Sequence, residues 1–225
     1  DKYGFKGLAR ALEAPKKEAP SASRDDLFSS FDSGAAASTE VAVAAQQREV
    51  AYHCIQTQAQ LDEWLAKIHT AEQAAVDTET DSLNALQAQL IGISLSVQPG
   101  EAAYIPLGHE GLDAVQQLPL ADVLAQLQPW LEDASKPKLG QHVKYDQHVL
   151  ANHGITVRGY QHDTMLQSYV LDVHRPHGLE SLALRHMGRT GLSYEDLCGK
   201  GKNQIPFAQV PLDKACAYAC EDADQ

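Results

Sequence analysis

The pattern of apolar and polar positions divides the chain at about residue 50. Residues 13–48 are rich in Ala, Ser, Pro and charged side chains, and their only aromatic patch is LFSSF. This composition cannot bury enough apolar surface to offset the loss of chain entropy, so it predicts a flexible linker. Residues 1–12 carry apolar and aromatic side chains at roughly helical spacing, but they are too few to fold alone. A globular pattern begins after the linker and predicts a folded domain over residues 49–225.

Strand patterns and helix patterns follow one another within this domain. Short apolar runs bounded by turn residues indicate strands, and apolar residues three and four apart indicate helices. The predicted strands cover residues 51–56, 74–80, 90–97, 102–107 and 138–141, and the predicted helices cover residues 61–69, 123–131, 142–154, 163–172, 179–187 and 214–224. Strands come mainly first and helices later. This order predicts an α/β layer fold with a mixed sheet of about five strands flanked by helices.

The charge balance limits the partners that the chain can bind. Lys and Arg number 18 against 30 Asp and Glu, which gives a formal net charge of -12. A protein that bound nucleic acid by electrostatics alone would be basic, so the bulk charge argues against DNA. A site that collects divalent cations must itself be acidic, so the excess of carboxylates leaves metal-dependent chemistry open.

Several other classes of protein are disfavoured. No apolar run reaches the ~18 residues that a membrane-spanning helix needs, and the first twenty residues lack the apolar stretch of a signal peptide. Both observations predict a cytoplasmic chain. The four cysteines form no CxxC pair and are predicted to be reduced structural thiols. The ten histidines supply no convincing pair of ligands at zinc-site spacing.

Acidic residues recur at three places where they could act together. Asp77 and Glu79 are two apart at the end of a predicted strand, so both side chains point to one face. Carboxylates this close repel each other unless a cation lies between them, and Mg²⁺ and Mn²⁺ favour such oxygen ligands. Tyr218 and Asp222 are four apart in a predicted helix and share a face, and Asp146 lies early in another helix. Each motif alone is better explained by a solvated strand end, an amphipathic helix or a helix dipole. Their order and spacing together are not what an acidic surface predicts.

Seven segments of the chain resemble a known family. They are VDTETDSLNA, AAYIPLGH, KLGQHVKYDQHVLANHGI, DTMLQSYVLD, GLESLALRHMG, YEDLCGKGKNQIPF and YACEDAD. Over roughly residues 50–225 the chain resembles the 3′→5′ proofreading exonuclease domain of bacterial, family A DNA polymerases I. Residues 1–12 resemble the end of the 5′-nuclease domain of the same polymerases, more weakly. The resemblance implies a ribonuclease-H-like exonuclease fold, truncated at its C-terminus, in a chain that lacks the polymerase domain.

The resemblance also implies that four carboxylates hold two divalent metal ions, Mg²⁺ or Mn²⁺. Asp77 would bridge both ions, Glu79 and Asp222 would complete the first, and Asp146 would hold the second largely through water. Two such ions can stabilise the attacking and the leaving oxygen of an in-line displacement. Tyr218 would orient the attacking water, because a phenol with a pKa of ~10 is a poor general base.

A single-stranded DNA 3′ end is the substrate that the resemblance implies. Leu83 would wedge against the terminal bases, Tyr194 would stack there, and Gln141 and Tyr145 would line the path of the strand. Stacking with sparse backbone contacts tolerates any sequence and contributes ~1–3 kcal/mol per base. This tolerance suits an enzyme that must remove any mispaired nucleotide.

Two further features belong to the predicted site, the GKGKNQ run and a histidine at position 142. Lys200 and Lys202 lie in a run without the spacing of a P-loop, so we expect a DNA phosphate contact and not a nucleoside triphosphate site. The family commonly has Asn where this chain has His142. Histidine can become charged near neutral pH, so this change can alter the site geometry or the pH profile without removing a metal ligand.

The predicted function is therefore a 3′→5′ DNA exonuclease that releases nucleoside monophosphates and edits for the polymerase domain of the same parent chain, in replication and repair at the nucleoid. Two alternatives stay open. An RNA-trimming exonuclease of the ribonuclease-D type shares the DxE and YxxxD motifs, but the linker, GKGKNQ and YGFKGL favour the polymerase origin. A catalytically inactive structural domain is the other alternative, and the four filled carboxylate positions argue against it.

Overall fold

The structure is a computed structural model that describes residues 49–110 and 116–225. The predictions for residues 1–12 and 13–48 lie outside the described residues. The strands are β1 (Ala51–Cys54), β2 (Ala74–Thr80), β3 (Leu90–Gln98), β4 (Glu101–Pro106), β5 (Lys138–Gly140) and β6 (Tyr160–Asp163). The α-helices are α1 (Gln58–Thr70), α2 (Leu120–Glu132), α3 (Val143–Ala151), α4 (Thr164–Leu171), α5 (Leu179–Met187), α6 (Tyr194–Cys198) and α7 (Leu212–Asp224). Two 3₁₀ turns, Gly201–Asn203 and Phe207–Gln209, lie between α6 and α7.

The six strands form one mixed sheet in the order β1-β4-β3-β2-β5-β6. Strand β3 pairs antiparallel with both β2 and β4, whereas β1 pairs parallel with β4, and β5 pairs parallel with β2 and β6. The predicted α/β fold with a mixed sheet is confirmed. The strand that the sequence did not predict is β6, whose residues YQHD contain no apolar run because this strand lies at the edge of the sheet.

Two apolar clusters cover the two faces of the sheet. Alternation along β4 sends Ala103 and Ile105 into one cluster and Ala102 and Tyr104 into the other. Helices α1, α2 and α3 supply the first cluster, and α7 with the Phe207 turn supplies the second. Small side chains on α7 let this helix lie close to the sheet; they are Ala215, Cys216, Ala219 and Cys220. Helix α7 therefore packs directly over the strands that carry the acidic motif.

Two further expectations can be compared with the described residues. No helix in this part of the chain is long and apolar enough to cross a membrane. The four cysteines are all free thiols, and three of them are buried. Cys216 and Cys220 lie one turn apart on the sheet-facing side of α7, with their sulfur atoms 3.9 Å apart. Their place in the second apolar cluster accords with a structural role.

Candidate active site

Strand β2 presents two carboxylates toward α7. In the antiparallel pairing with β3, Asp77 lies opposite Ser94 and Glu79 lies opposite Gly92. Period-two alternation puts both acids on one face of the sheet, while Val76 belongs to the apolar cluster on the other face. Glu79 is buried and Asp77 is partly buried. The sheet therefore holds both acids in a site with little access to bulk water.

Helix α7 brings a third carboxylate to the same place. Tyr218 and Asp222 are one helical turn apart, so they share the face of α7 that lies against β2. One carboxylate oxygen from each of Asp77, Glu79 and Asp222 lies within 4.8 Å of the other two. The packing of α7 on the sheet thus joins two motifs that are far apart in the sequence.

Asp146 reaches the site from the opposite face of β2. It lies on α3 and is only 2% exposed. The Thr78 N–H donates to Asp146 Oδ1 at 3.1 Å, and Thr78 Oγ1 donates to the same oxygen at 2.6 Å. Asp146 lines a cleft of about 600 Å³ together with the other three acids, but it lies outside their tight group. Thr78 is a site residue that the sequence reasoning missed, although it stands between the two acids of the DxE motif.

Burial raises the pKa of every carboxylate in the cleft, and the charge of Asp77 raises the pKa of the other three further. Burial raises the pKa of Asp77 to about 6. Burial, together with the charge of Asp77, raises the pKa of Asp222 to about 8. The same two causes raise the pKa values of Glu79 and Asp146 well above the ordinary range. A divalent cation with oxygen ligands would relieve this repulsion, so the donor set fits Mg²⁺ or Mn²⁺.

The Tyr218 phenol is held in its protonated form. Burial raises its pKa far above the usual value, and the negative charges of Asp222 and Glu79 raise it further. A phenol with a raised pKa cannot act as a base near neutral pH. Tyr218 can therefore donate a hydrogen bond into the cleft but cannot accept a proton there.

An exposed leucine lies at the rim of the cleft. Leu83 follows β2, and its side chain is 99% exposed although it is large and apolar. The Tyr145 hydroxyl contacts Thr80 Oγ1 and donates to the Ser82 carbonyl, so α3 holds the segment that carries Leu83. Leu83 and Tyr145 both line the cleft. An apolar side chain held in solvent beside an acidic cleft is available to contact the bases of a bound strand.

Gln141 and His142 lie where β5 leads into α3. Gln141 lines the cleft, and its Nε2 donates to the His177 carbonyl at 2.8 Å. His142 has φ 60°, in the left-handed region, and its N–H donates to Asp163 Oδ1 at 3.2 Å. The Val143 N–H donates to the other oxygen of Asp163 at 3.0 Å. Asn and His are among the few non-glycine residues that adopt this backbone conformation readily. This backbone conformation therefore accommodates His142 at the position where the resemblance implies Asn.

Three of the predicted DNA-binding residues lie outside the residues that line the cleft. Tyr194 begins α6, and its ring stacks on Phe207 with centroids 6.3 Å apart and an interplanar angle of 15°. Phe207 in turn contacts the Tyr218 ring at 6.0 Å. Lys200 and Lys202 are exposed, and Lys200 forms an ion pair with Glu195. Phe207 is a second residue that the sequence reasoning missed.

The mixed sheet and the acidic cleft together define the class of the protein as an α/β nuclease domain. A family model described as "3'-5' exonuclease" matches residues 52–225. The chain therefore belongs to this 3′→5′ exonuclease family.

Curated relatives agree with the family. DNA polymerase I of Pseudomonas aeruginosa is 48% identical, over 79% of this chain and 20% of that protein. DNA polymerase I of Rhizobium leguminosarum is 40% identical, over 77% of this chain and 19% of that protein. The chain thus spans about a fifth of the length of these relatives.

Solved structures share the fold at lower identity. Escherichia coli RNase D, "an exoribonuclease involved in structured RNA processing", is 21% identical with a TM-score of 0.56, over 77% of this chain and 41% of that one. The POL domain of Pol1 from M. smegmatis, in complex with DNA primer-template and dNTP, is 23% identical with a TM-score of 0.53, over 77% of this chain and 27% of that one. These likenesses confirm the fold and leave the nucleic acid substrate open.

Proposed function

We propose that the chain is the editing part of a DNA polymerase I and hydrolyses the last phosphodiester at a DNA 3′ end, releasing nucleoside monophosphates. The convergence of Asp77, Glu79 and Asp222 within 4.8 Å carries this proposal, because such a cluster is what phosphodiester hydrolysis with metal ions requires. The curated relatives named above support DNA as the substrate. The parent chain would add a polymerase domain and act in replication and repair at the bacterial nucleoid.

Two divalent ions, Mg²⁺ or Mn²⁺, are the proposed cofactors. Asp77, Glu79 and Asp222 would hold one ion, and Asp77 and Asp146 would hold the second. When bound, the ions supply positive charge against the negative charge that develops on the attacking and leaving oxygens. The raised pKa values of these acids support the proposal, because they are the values expected of ligands that lack their cation.

The other residues of the site would bind and orient the reactants. Tyr218 would donate its hydroxyl hydrogen to the attacking water and hold that water in line with the phosphorus. Leu83 would wedge beside the terminal base, and Tyr194 would stack on it. Gln141 and Tyr145 would line the path of the single strand, and both side chains are held in place by hydrogen bonds. Lys200 and Lys202 would contact backbone phosphates farther from the cleft.

Replacing the shared ligand tests this assignment directly. We expect Asp77→Ala to lower kcat/KM on a single-stranded DNA oligonucleotide by at least about a thousandfold, ~4 kcal/mol of transition-state stabilisation. The fold should survive, because the substitution also removes a repelling charge. Asp213→Ala is the control, since Asp213 is an exposed acid in the first turn of α7, the helix that carries Asp222. Near-normal activity of folded Asp77→Ala protein would refute the mechanism.

An RNA-trimming exonuclease is the second candidate, because Escherichia coli RNase D shares the fold. Matched DNA and RNA oligonucleotides of one sequence distinguish the two candidates in the same assay. We expect faster release of mononucleotides from DNA. A strong preference for RNA would overturn the editing role, and absence of cleavage of either substrate with Mg²⁺ or Mn²⁺ would support an inactive structural domain.

A further inference from the structure

The C-terminal turn of α7 carries two acids that the proposed chemistry does not use. Glu221 and Asp224 lie on either side of Asp222 in the YACEDAD segment. The Asp224 side chain is completely buried. Its carboxylate accepts a hydrogen bond from the Tyr52 hydroxyl at 3.1 Å and another from the Gly100 N–H. A buried carboxylate with these partners is a structural anchor and has no open position for a ligand.

The third partner of Asp224 lies in the loop between α5 and α6. Arg189 Nη1 donates to Asp224 Oδ2 at 3.3 Å. Three residues farther along the loop, the Leu192 N–H donates to Glu221 Oε2 at 2.7 Å. We call this ion pair and this hydrogen bond, formed by Arg189, Leu192, Glu221 and Asp224, the latch. The latch attaches residues 188–193 to the C-terminal end of α7 at two points.

The loop approaches the side chains at the C-terminal end of α7 closely at Gly191. A Cβ atom on Gly191 would lie 2.6 Å from Gln225 Nε2 and 2.9 Å from Glu221 Oε2. Both distances are shorter than atoms can tolerate, so a methyl group at this position must displace the side chains of Gln225 and Glu221, and Glu221 belongs to the latch.

The loop leads directly to Tyr194. Ser193 caps α6 and exchanges hydrogen bonds with Asp196, which fixes the start of that helix. Tyr194 then stacks on Phe207, and Phe207 contacts Tyr218 on α7. Tyr194 is thus connected to α7 by two routes, through the ring contacts and through the latch.

We propose that the latch positions Tyr194 for the terminal base of the substrate, so that Tyr194 keeps a fixed separation from Asp222. The proposal rests on the proposed function, which gives Tyr194 the stacking role and Asp222 a metal ion. A loop that is already ordered loses less conformational entropy when the strand binds. Arg189, Glu221 and Asp224 are therefore positioning residues, and loss of the latch weakens binding of the 3′ end while the reacting groups stay in place.

The test measures the Kd of a DNA strand that is not cleaved. If the latch only stabilised the fold, its loss would leave this Kd unchanged. The probe is a single-stranded DNA oligonucleotide with 2-aminopurine at its 3′ end, titrated in EDTA and followed by fluorescence. Arg189→Met removes the cation of the latch, and Gly191→Ala displaces the Glu221 side chain from its place in the latch without changing any charge. We expect each variant to raise Kd and KM about fivefold, the effect of losing roughly one ordinary hydrogen bond, with kcat within about twofold of the parent. Arg158→Met, which removes an exposed charge elsewhere, should change neither Kd nor KM.

A double-mutant cycle shows whether the effect passes through Tyr194. In the Tyr194→Ala background, Arg189→Met should no longer change Kd, because the residue that the latch positions is gone. If the effects of Arg189→Met and Tyr194→Ala on Kd are additive, or if Arg189→Met lowers kcat at unchanged Kd, the positioning role of the latch is refuted. The proposed function would remain intact. Tyr194→Ala with normal Kd would overturn the stacking role itself and the latch with it. Melting curves of each variant verify that folded proteins are compared. If Arg189→Met does not fold, Gly191→Ala replaces it as the variant that tests the latch.

Discussion

At the scale of single residues, the four carboxylates of the cleft make the metal-free protein sensitive to pH. Each acid has a raised pKa because burial disfavours its ionised form, and for three of them the charge of Asp77 is a further cause. An acid whose pKa is higher in the folded state binds more protons there than in the unfolded chain. Its contribution to stability is therefore present at low pH and is lost as the pH rises through the folded pKa. A bound cation removes this loss, because it favours the ionised form.

Asp222→Asn isolates this effect. The pKa of Asp222 rises from 3.8 to about 8, so the wild-type chain in EDTA should lose stability between pH 4 and pH 8 relative to the variant. At pH 8 in EDTA we expect the variant to be more stable by about 2 kcal/mol, measured by urea unfolding. Saturating Mn²⁺ should reverse the order, since only the wild type keeps the ligand. A variant that is less stable than wild type at pH 8 in EDTA would contradict the electrostatic account of the site.

At the scale of elements, the site is made by the packing of α7 on one face of β2 and of α3 on the other. Both helices and the strand were predictable, because their apolar periodicity is strong and continuous. The DxE acids share a face of β2 as the alternation predicted, and Tyr218 and Asp222 share a face of α7. The placement of Asp146 beside Thr78 was not predictable, because it depends on which side of the sheet α3 covers. Strand β6 and the Phe207 turn were missed because short polar and irregular segments carry no periodic signal.

The pairing of β3 with β2 supplies a prediction at this scale. Gly92 lies opposite Glu79, and a Cβ atom there would lie 2.2 Å from the Tyr104 hydroxyl oxygen, in a ring that is completely buried. Gly92→Ala must displace this ring or the strand, so we expect a loss of about 2–3 kcal/mol of stability in thermal or urea unfolding. Gly178→Ala is the control, because nothing lies within 4 Å of its Cβ position. Equal stability of the two variants would show that Tyr104 can move at little cost.

At the scale of the whole molecule, composition gave the least specific information and motif order gave the most. The net charge of -12 argued against DNA, yet the family and its curated relatives are those of DNA polymerases I. Bulk charge is an average over the surface, whereas a strand meets only one face. The acids that dominate the cleft are also those that a cation would neutralise. The proposed DNA substrate is compatible with this net charge, because part of the acidic excess is concentrated in the proposed metal site.

The same argument makes the dependence of DNA binding on salt informative. Each phosphate contact on a single strand adds about 0.7 to the slope of log K against log salt, so loss of both Lys200 and Lys202 contacts should lower the slope by about 1.4. Lys200 already pairs with Glu195, so binding must exchange this partner for a phosphate. The measurement compares the chain with its Lys200→Gln, Lys202→Gln double variant, titrated with labelled single-stranded DNA in EDTA at several salt concentrations. Lys136→Gln is the control, because Lys136 donates to a carbonyl of α1 on the opposite face of the sheet from α7. An unchanged slope in the double variant would show that neither lysine contacts the DNA. The base contacts of Leu83 and Tyr194 would then be the main source of affinity.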